Sequence, residues 1–528
     1  MPASLPARLL TVGVAVALAT GLGIPASADE SNPDPSTRAA RATQALSDAK
    51  AVLADSATAE QRRPAERDAT MVLRDLALQA DYLPTRTQRQ TASRILARPE
   101  VGSTDTVGPY DIRYTTQDGS RCGAHICVHW VEDGSADAVD DNDGNLATVP
   151  GWVNTTLTTM ENVYAEEVTR LGYTAPLGDG TRGGNAKLDV YLGDLGNKRL
   201  YGYCATEATS SAPGSNAASY CVLDNNYSAA EYGYADTPLE NLQVTAAHEF
   251  FHAVQFAYDW TEDLWFMEGT AVWMEDEVYD SVDNNFQYFP QSPMGSPAVP
   301  MDFSDSDYQP YGSWIFWKFL SESTGAGAAD NPNIVRQVWN AAAGATYSTA
   351  ALQQVLTGRG SSFRAAFSAF GTWSRNPSRY FSEGASYPAA ALANRFTLQG
   401  ASRSTGQRRP APDHMTHRFY RITPGSTLTG RWRLHVAVNM ADVTRGSVAR
   451  LVVHTRSGGL RPLGIRLNAA GNGSRDFDFR RDVVSYLELE LANTSIRFNC
   501  NQGTYQSCRG TALDDNLTAA FNATAVRY

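Results

Sequence analysis

From Thr237 to Glu277 the apolar positions fall into rows that a helix makes. Ala246, Phe250, Ala253 and Ala257 form one row, and Ala247, Phe251 and Val254 another. Thr237 is a suitable N-cap, Pro238 fits the first helical position and Glu240 completes a capping box. No Gly or Pro follows until Gly269. The pattern predicts a helix apolar on most sides, which belongs in a domain interior. A second helical stretch follows in L-W-F-M-E-G-T-A-V-W-M-E, residues 264–275.

The flanking segments have other patterns. Residues 1–28 read as a secretory signal peptide: Arg8, a short apolar core from Leu9 to Ala19, and a small-residue cleavage site at Ala26-Ser27-Ala28. Residues 29–104 are Ala- and Arg-rich. Helical spacing recurs at Ala42, Leu46, Ala49 and Leu53, and again around Met71, Val72 and Leu76, with breaks at Pro84 and Pro99. This segment reads either as a pro-region covering the active site or as a helical N-terminal lobe. In 105–236, strands are expected at Tyr110–Tyr114, Ile126–Val131 and Leu188–Leu192, with a helix over Val149–Leu171 that stops at Gly172. Residues 278–395 add helices and complete one catalytic unit, 105–398. Aromatic-rich Tyr311–Glu322 reads as core, and Tyr308 or Tyr311 could alternatively donate to an oxyanion. From about 400 a linker-like G-A-S-R-S-T-G-Q-R-R-P-A-P leads into short alternating segments: Phe419–Ile422, Leu434–Val438, Ala449–Val453, Tyr486–Leu491 and Leu517–Val526. Residues 399–528 therefore read as a β-sandwich, and the fold class as α+β. The sandwich either contacts a cell-wall or other polymer, or only packs against the enzyme. Its His414, His417, His435 and His454 lack the spacing and acidic partners of the central motif and read as ordinary surface or core residues.

The 528 residues carry a formal net charge of −12, which argues against nucleic acid as the main partner. No later run suggests a membrane anchor, so release from the cell is expected. The six cysteines fall into close pairs, Cys122 with Cys127, Cys204 with Cys221 and Cys500 with Cys508. In an exported chain these read as three local disulfides.

His248 and His252 lie one helical turn apart on one face and can bind one metal ion, with Glu249 beside them as a candidate general base. Two core histidines, or a structural zinc, would give the same spacing. A catalytic zinc needs a third protein ligand and an open position. Glu262, Asp263, Glu268 and Glu275 are the candidates. Glu268 is preferred because its apolar flanks make an unpaired carboxylate costly there. Glu275 could instead hydrogen-bond a ligand histidine and set its tautomer. Asp140–Asn145, D-D-N-D-G-N, resembles a Ca2+ loop without its final bidentate Glu, or is a solvated acidic turn.

The H-E-F-F-H helix followed by W-F-M-E-G-T-A-V-W-M-E resembles the gluzincin metallopeptidases. It is more closely similar to secreted bacterial metalloproteases of the MXAN_6640 type, related to peptidase MA-like families. The similarity takes in Y-D-I-R-Y-T-T at 110–116, L-D-V-Y-L-G-D at 188–194, S-Y-C-V-L-D-N-N-Y at 219–227 and Y-G-S-W-I-F-W-K-F-L-S-E at 311–322. It implies a gluzincin-like domain of mixed sheet plus active-site helices, one Zn2+ on His248, His252 and Glu268, and Glu249 as base. In such proteins an edge strand of the sheet holds the substrate backbone. The expected function is a secreted zinc endopeptidase acting on protein or peptide. The alternatives are a zinc amidase acting on cell-wall peptides and an extracellular binding or adhesion protein that keeps a zinc fold.

Overall fold

The computed structural model describes residues 35–54, 68–100, 114, 119–132, 137–139, 148–208, 211–212, 214–233, 235–304, 309–323, 332–344 and 346–528. The expected signal peptide, the acidic loop at 140–145, Tyr308 and most of the strand expected at 110–114 lie outside these residues. Tyr114 itself is in no strand.

The chain is α+β. Three N-terminal helices come first, α1 (Pro35–Leu53), α2 (Thr70–Gln79) and α3 (Arg86–Ile95). A mixed five-stranded sheet follows, built from β1 (Gly119–Cys122), β2 (Ile126–Trp130), β3 (Leu188–Gly193), β4 (Gly202–Thr206) and β5 (Ser219–Asp224). Its order is β1-β2-β3-β5-β4: β2, β3 and β5 run parallel, and the two edge strands run antiparallel to their neighbours. α4 (Gly151–Tyr164) continues into a wider helical turn, Ala165–Arg170, and the chain leaves it at Gly172 with φ +77°.

After the short α5 (Ala229–Tyr232) come the central pair, α6 (Pro238–Asp259) and α7 (Leu264–Val278). The Thr237/Glu240 capping box starts α6: Thr237 Oγ1 accepts from Glu240 N at 3.2 Å, and Glu240 Oε2 accepts from Thr237 N at 2.7 Å. The sheet packs on α4 and α6, and α7 packs on α6. The short α8 (Gln309–Gly312), then α9 (Trp314–Ser323), α10 (Asn333–Ala342), α11 (Thr349–Gly358), α12 (Phe363–Arg375) and the short α13 (Pro377–Tyr380) complete this half. Tyr311, Trp314, Phe316, Trp317 and Phe319 are all core residues.

The N-terminal helices are not a loose appendage. Leu46, Val52, Leu73 and Leu76 share one apolar cluster with Tyr191, Tyr203, Tyr220 and Val222, which point from the sheet face opposite α6. Stripping these helices away would bare large aromatic surface.

The C-terminal half packs one sheet on another around a core of its own. The five-stranded sheet has the order β10-β9-β12-β7-β6. It contains β6 (Asn394–Leu398), β7 (Thr416–Pro424), β9 (Ser447–Thr455), β10 (Leu460–Gly464) and β12 (Val484–Asn493). The three-stranded sheet orders β11 (Asn472–Asp478), β8 (Trp432–Asn439) and β15 (Ala520–Arg527). A two-residue ladder, β13 (Phe498–Asn499) with β14 (Thr511–Ala512), lies in the last loop. The stretch around 400–412 is not a free linker. Arg408 N donates to Phe521 O at 2.9 Å and Ala525 N donates to Arg403 O at 2.7 Å, so it runs along β15 and covers that edge. Its backbone pairing, which its Gly and Pro content does not disclose, makes it an irregular strand rather than a tether.

All six cysteines are oxidised in the expected local pairs, Cys122–Cys127, Cys204–Cys221 and Cys500–Cys508. No helix among the described residues is long and apolar enough to cross a membrane.

The reading of the C-terminal histidines as lacking acidic partners is corrected by the fold. His414 lies between Asp302 and Asp515, and carboxylates also face His417 (Glu490), His435 (Asp476) and His454 (Glu488). Each partner is distant in sequence, so spacing alone does not disclose it.

Candidate metal centre

Helical geometry places His248 and His252 on the same side of α6, and α7 crosses so that Glu268 faces them. Glu268 Oε2 lies 3.3 Å from His248 Nε2 and 3.7 Å from His252 Nε2. The rival acids are committed elsewhere. Glu262 accepts from Asp263 N at 2.8 Å and Ser348 N at 3.0 Å, and Asp263 accepts from Cys508 N at 2.8 Å.

The two imidazoles have fixed tautomers. The Gln255 amide donates to Met267 O at 2.8 Å and Thr270 Oγ1 at 3.0 Å, so its carbonyl oxygen faces His252 Nδ1 at 2.7 Å. His248 Nδ1 meets Glu275 Oε1, also at 2.7 Å. Both Nδ1 atoms therefore donate, and both Nε2 atoms turn inward. The two Nε2 atoms lie 3.1 Å apart. A proton held between them, as the carboxylates around His248 favour, or a metal ion would satisfy both atoms. Buried Glu268 Oε2 has no hydrogen-bond partner among the described residues. A fourth group, Asp68, completes a buried set with His248, His252 and Glu268, whose donor atoms all lie within 4.8 Å of one another. The cluster could hold a metal ion, and two imidazoles with carboxylate oxygens suit zinc.

No known family model and no curated protein matches this chain. Among solved structures, a family GH115 4-O-methyl-alpha-glucuronidase with specificity for decorated arabinogalactans matches at 6% identity and a TM-score of 0.15. The match covers 56% of this chain and 30% of that one, a likeness too slight to carry an argument.

Glu249 lines the same cleft as His248 and lies against β4. It is 1% exposed, and its Oε2 accepts from Thr70 Oγ1 at 2.9 Å. A Cβ at Gly202 of β4 would come within 2.8 Å of Glu249 Cγ and 2.9 Å of Thr245 Cγ2, so only glycine lets the strand approach Glu249 this closely. Tyr201, Val244, Tyr288 and Tyr311 line the narrow cleft above.

Burial, with Asp68 nearby, raises the Glu249 carboxyl well above its ordinary range. The same two causes push Glu268 up to about 8. Burial and the neighbouring His248 lower His252 to about 3. At His248 burial is outweighed by Asp68, Glu268 and Glu275, which strongly favour positive charge. Carboxyls crowded so closely raise one another, and a cation among them would relieve that repulsion.

Sequence reasoning missed Asp68, Thr70 and Gln255. Gln255 had a local signal, since it lies three residues after His252 on the same helix. Asp68 and Thr70 arrive from a distant segment and had none. The role of Glu275 is testable. Glu275→Leu is expected to weaken metal binding by about 10–100-fold with the fold retained. Chelator competition measures this, and unchanged affinity would mean that the His248 tautomer is set by something else.

Proposed function

We propose that the chain is a secreted zinc metallopeptidase of gluzincin type that hydrolyses peptide bonds. The observation that carries this is the pair of inward-facing Nε2 atoms of His248 and His252, 3.1 Å apart, with Glu268 Oε2 beside them and Glu249 on the same helix. The similarity of the H-E-F-F-H helix and its following glutamate to MXAN_6640-type metalloproteases supports the same reading. Three disulfides suit an extracellular setting.

His248, His252 and Glu268 would hold the zinc. Bound there, zinc supplies Lewis acidity toward a peptide carbonyl and acidifies water. Glu249 takes the proton of the attacking water and passes it to the departing amine. Tyr311, 4% exposed beside His248, presents a hydroxyl that can donate to the developing oxyanion. Strand β4 forms the sheet edge beside Glu249 and can pair with an extended peptide backbone.

The test has two stages. Purified protein is expected to carry one zinc per chain, lost in His252→Ala. A mixed peptide library is then expected to be cut at defined bonds by the zinc-loaded chain, and protected by a chelator. Wild type that binds no zinc sinks the metal reading. A chain that holds zinc but cuts no peptide, even when Asp68→Ala removes the carboxylate facing the site, sinks the peptidase reading. It would favour a binding protein or an amidase of another bond.

A further inference from the structure

We propose that residues 68–74 form a built-in latch in which Asp68 is a fourth metal ligand, filling the position that water or a substrate carbonyl must occupy. The proposal rests on the zinc reading above and adds how that site is held closed.

A tetrahedral zinc with three protein ligands has one open position. Asp68 Oδ2 lies 3.4 Å from His248 Nε2 and lines the same cleft, and Asp68 is 3% exposed. With neutral histidines, the carboxylates of Asp68 and Glu268 together balance a divalent cation. Tyr311 donates to the same Oδ2 at 2.7 Å, so the hydroxyl nearest the site is turned to the latch. Thr70 reaches the base: its Oγ1 donates to Glu249 Oε2 at 2.9 Å while accepting from Cys204 N of β4 at 2.8 Å. Asp68 also pairs with Gly202 of β4. One short segment therefore meets the metal ligands, the base, Tyr311 and the sheet edge together. The group it presents to the cluster is a side-chain carboxylate.

The segment is anchored on both sides. Asp68 Oδ1 accepts from Thr70 N at 2.6 Å, Met71 belongs to the core of the catalytic half, and Leu73 and Leu76 belong to the cluster behind the sheet. Arg74 Nη1 donates to Glu262 O at 2.8 Å in the α6–α7 connection. These contacts place Asp68 firmly, and nothing in the zinc chemistry of His248, His252, Glu268 and Glu249 requires it.

The test uses the full-length chain as wild type, Asp68→Ala and the near-isosteric Asp68→Asn, each loaded with Co2+ or Zn2+. Visible absorption of the cobalt site is followed while acetohydroxamate, a small metal-binding probe, is titrated. The latch predicts that Asp68→Ala responds at roughly tenfold or more lower probe concentration than wild type, because opening a mostly closed site returns the binding-competent fraction. It also predicts weaker metal retention against a chelator and faster peptide hydrolysis. Asp68→Asn is expected to fall between the two. Identical probe titrations in all three chains overturn the latch while leaving the zinc reading standing. Loss of hydrolysis in a folded, zinc-loaded Asp68→Asn also overturns it, and makes Asp68 part of the working site. Wild type that takes up neither metal overturns the latch and the zinc reading alike.

Discussion

Glu249→Gln is expected to keep one zinc per chain and to lower peptide hydrolysis by about a hundredfold to ten-thousandfold, the usual contribution of a positioned general base. The two effects separate because Glu249 is not among the four groups whose donor atoms cluster: its carboxylate turns toward Thr70 and β4. Gln has nearly the same shape and can still accept from Thr70, so packing against Gly202 survives. It cannot take a proton. The loss should therefore appear in kcat rather than in metal content. The comparison belongs in the Asp68→Ala background, where the latch does not mask turnover. Full activity in the Gln variant would move the proton to another group and undo the assigned mechanism. Loss of zinc together with activity would instead mean that Glu249 helps to hold the metal.

Much of this centre was legible in the sequence for a simple reason. Helical spacing fixes where residues one turn apart point, so His248, Glu249 and His252 could be placed before any fold was known. The Thr237 capping box likewise fixed where α6 begins. Glu268 and Glu275 lie on the next helix, separated from α6 by a short connection, and their apolar surroundings marked them as carboxylates needing a partner. The disulfides were legible because each pair is close in sequence. What could not be read is what arrives from far away. Asp68 and Thr70 reach the site only because α2 packs against β4, and neither residue stands out in R-D-A-T-M. Edge strand β4 is short and lies between loops, so its alternation is too brief to stand out. The stretch before β7 read as a linker because Gly, Ser and Pro suit loops. Its pairing with β15 depends on backbone hydrogen bonds that composition does not report.

The same limit hid His414, and its setting gives the second large effect. His414 Nε2 meets Asp302 Oδ1 at 2.7 Å and its Nδ1 meets Asp515 Oδ1 at 2.5 Å. Asp302 also accepts from Ser507 N at 2.9 Å, in the loop closed by Cys500–Cys508. One buried charge thus joins the helical half to the start and the end of the sandwich. Burial alone would lower the imidazole, but Asp302 and Asp515 outweigh it and raise it to about 10. An unfolded histidine titrates near about 6.5. Stability from this group is therefore complete below about pH 6.5 and is lost as pH rises through about 10. The two aspartates act in the opposite sense. Both are held below their ordinary range, so their share is lost only in acid. His414→Ala at pH 6.5 is expected to cost about 3–5 kcal/mol, because it leaves Asp302 buried without its cation. Denaturant midpoints of wild type and variant, taken from pH 6 to 10.5, should converge as pH rises. Asp302→Asn with His414→Ala should recover part of the loss, since no buried charge is then left unpaired. Curves that stay parallel across the range would show that His414 is neutral in the folded chain, and the two halves would then be joined by packing alone.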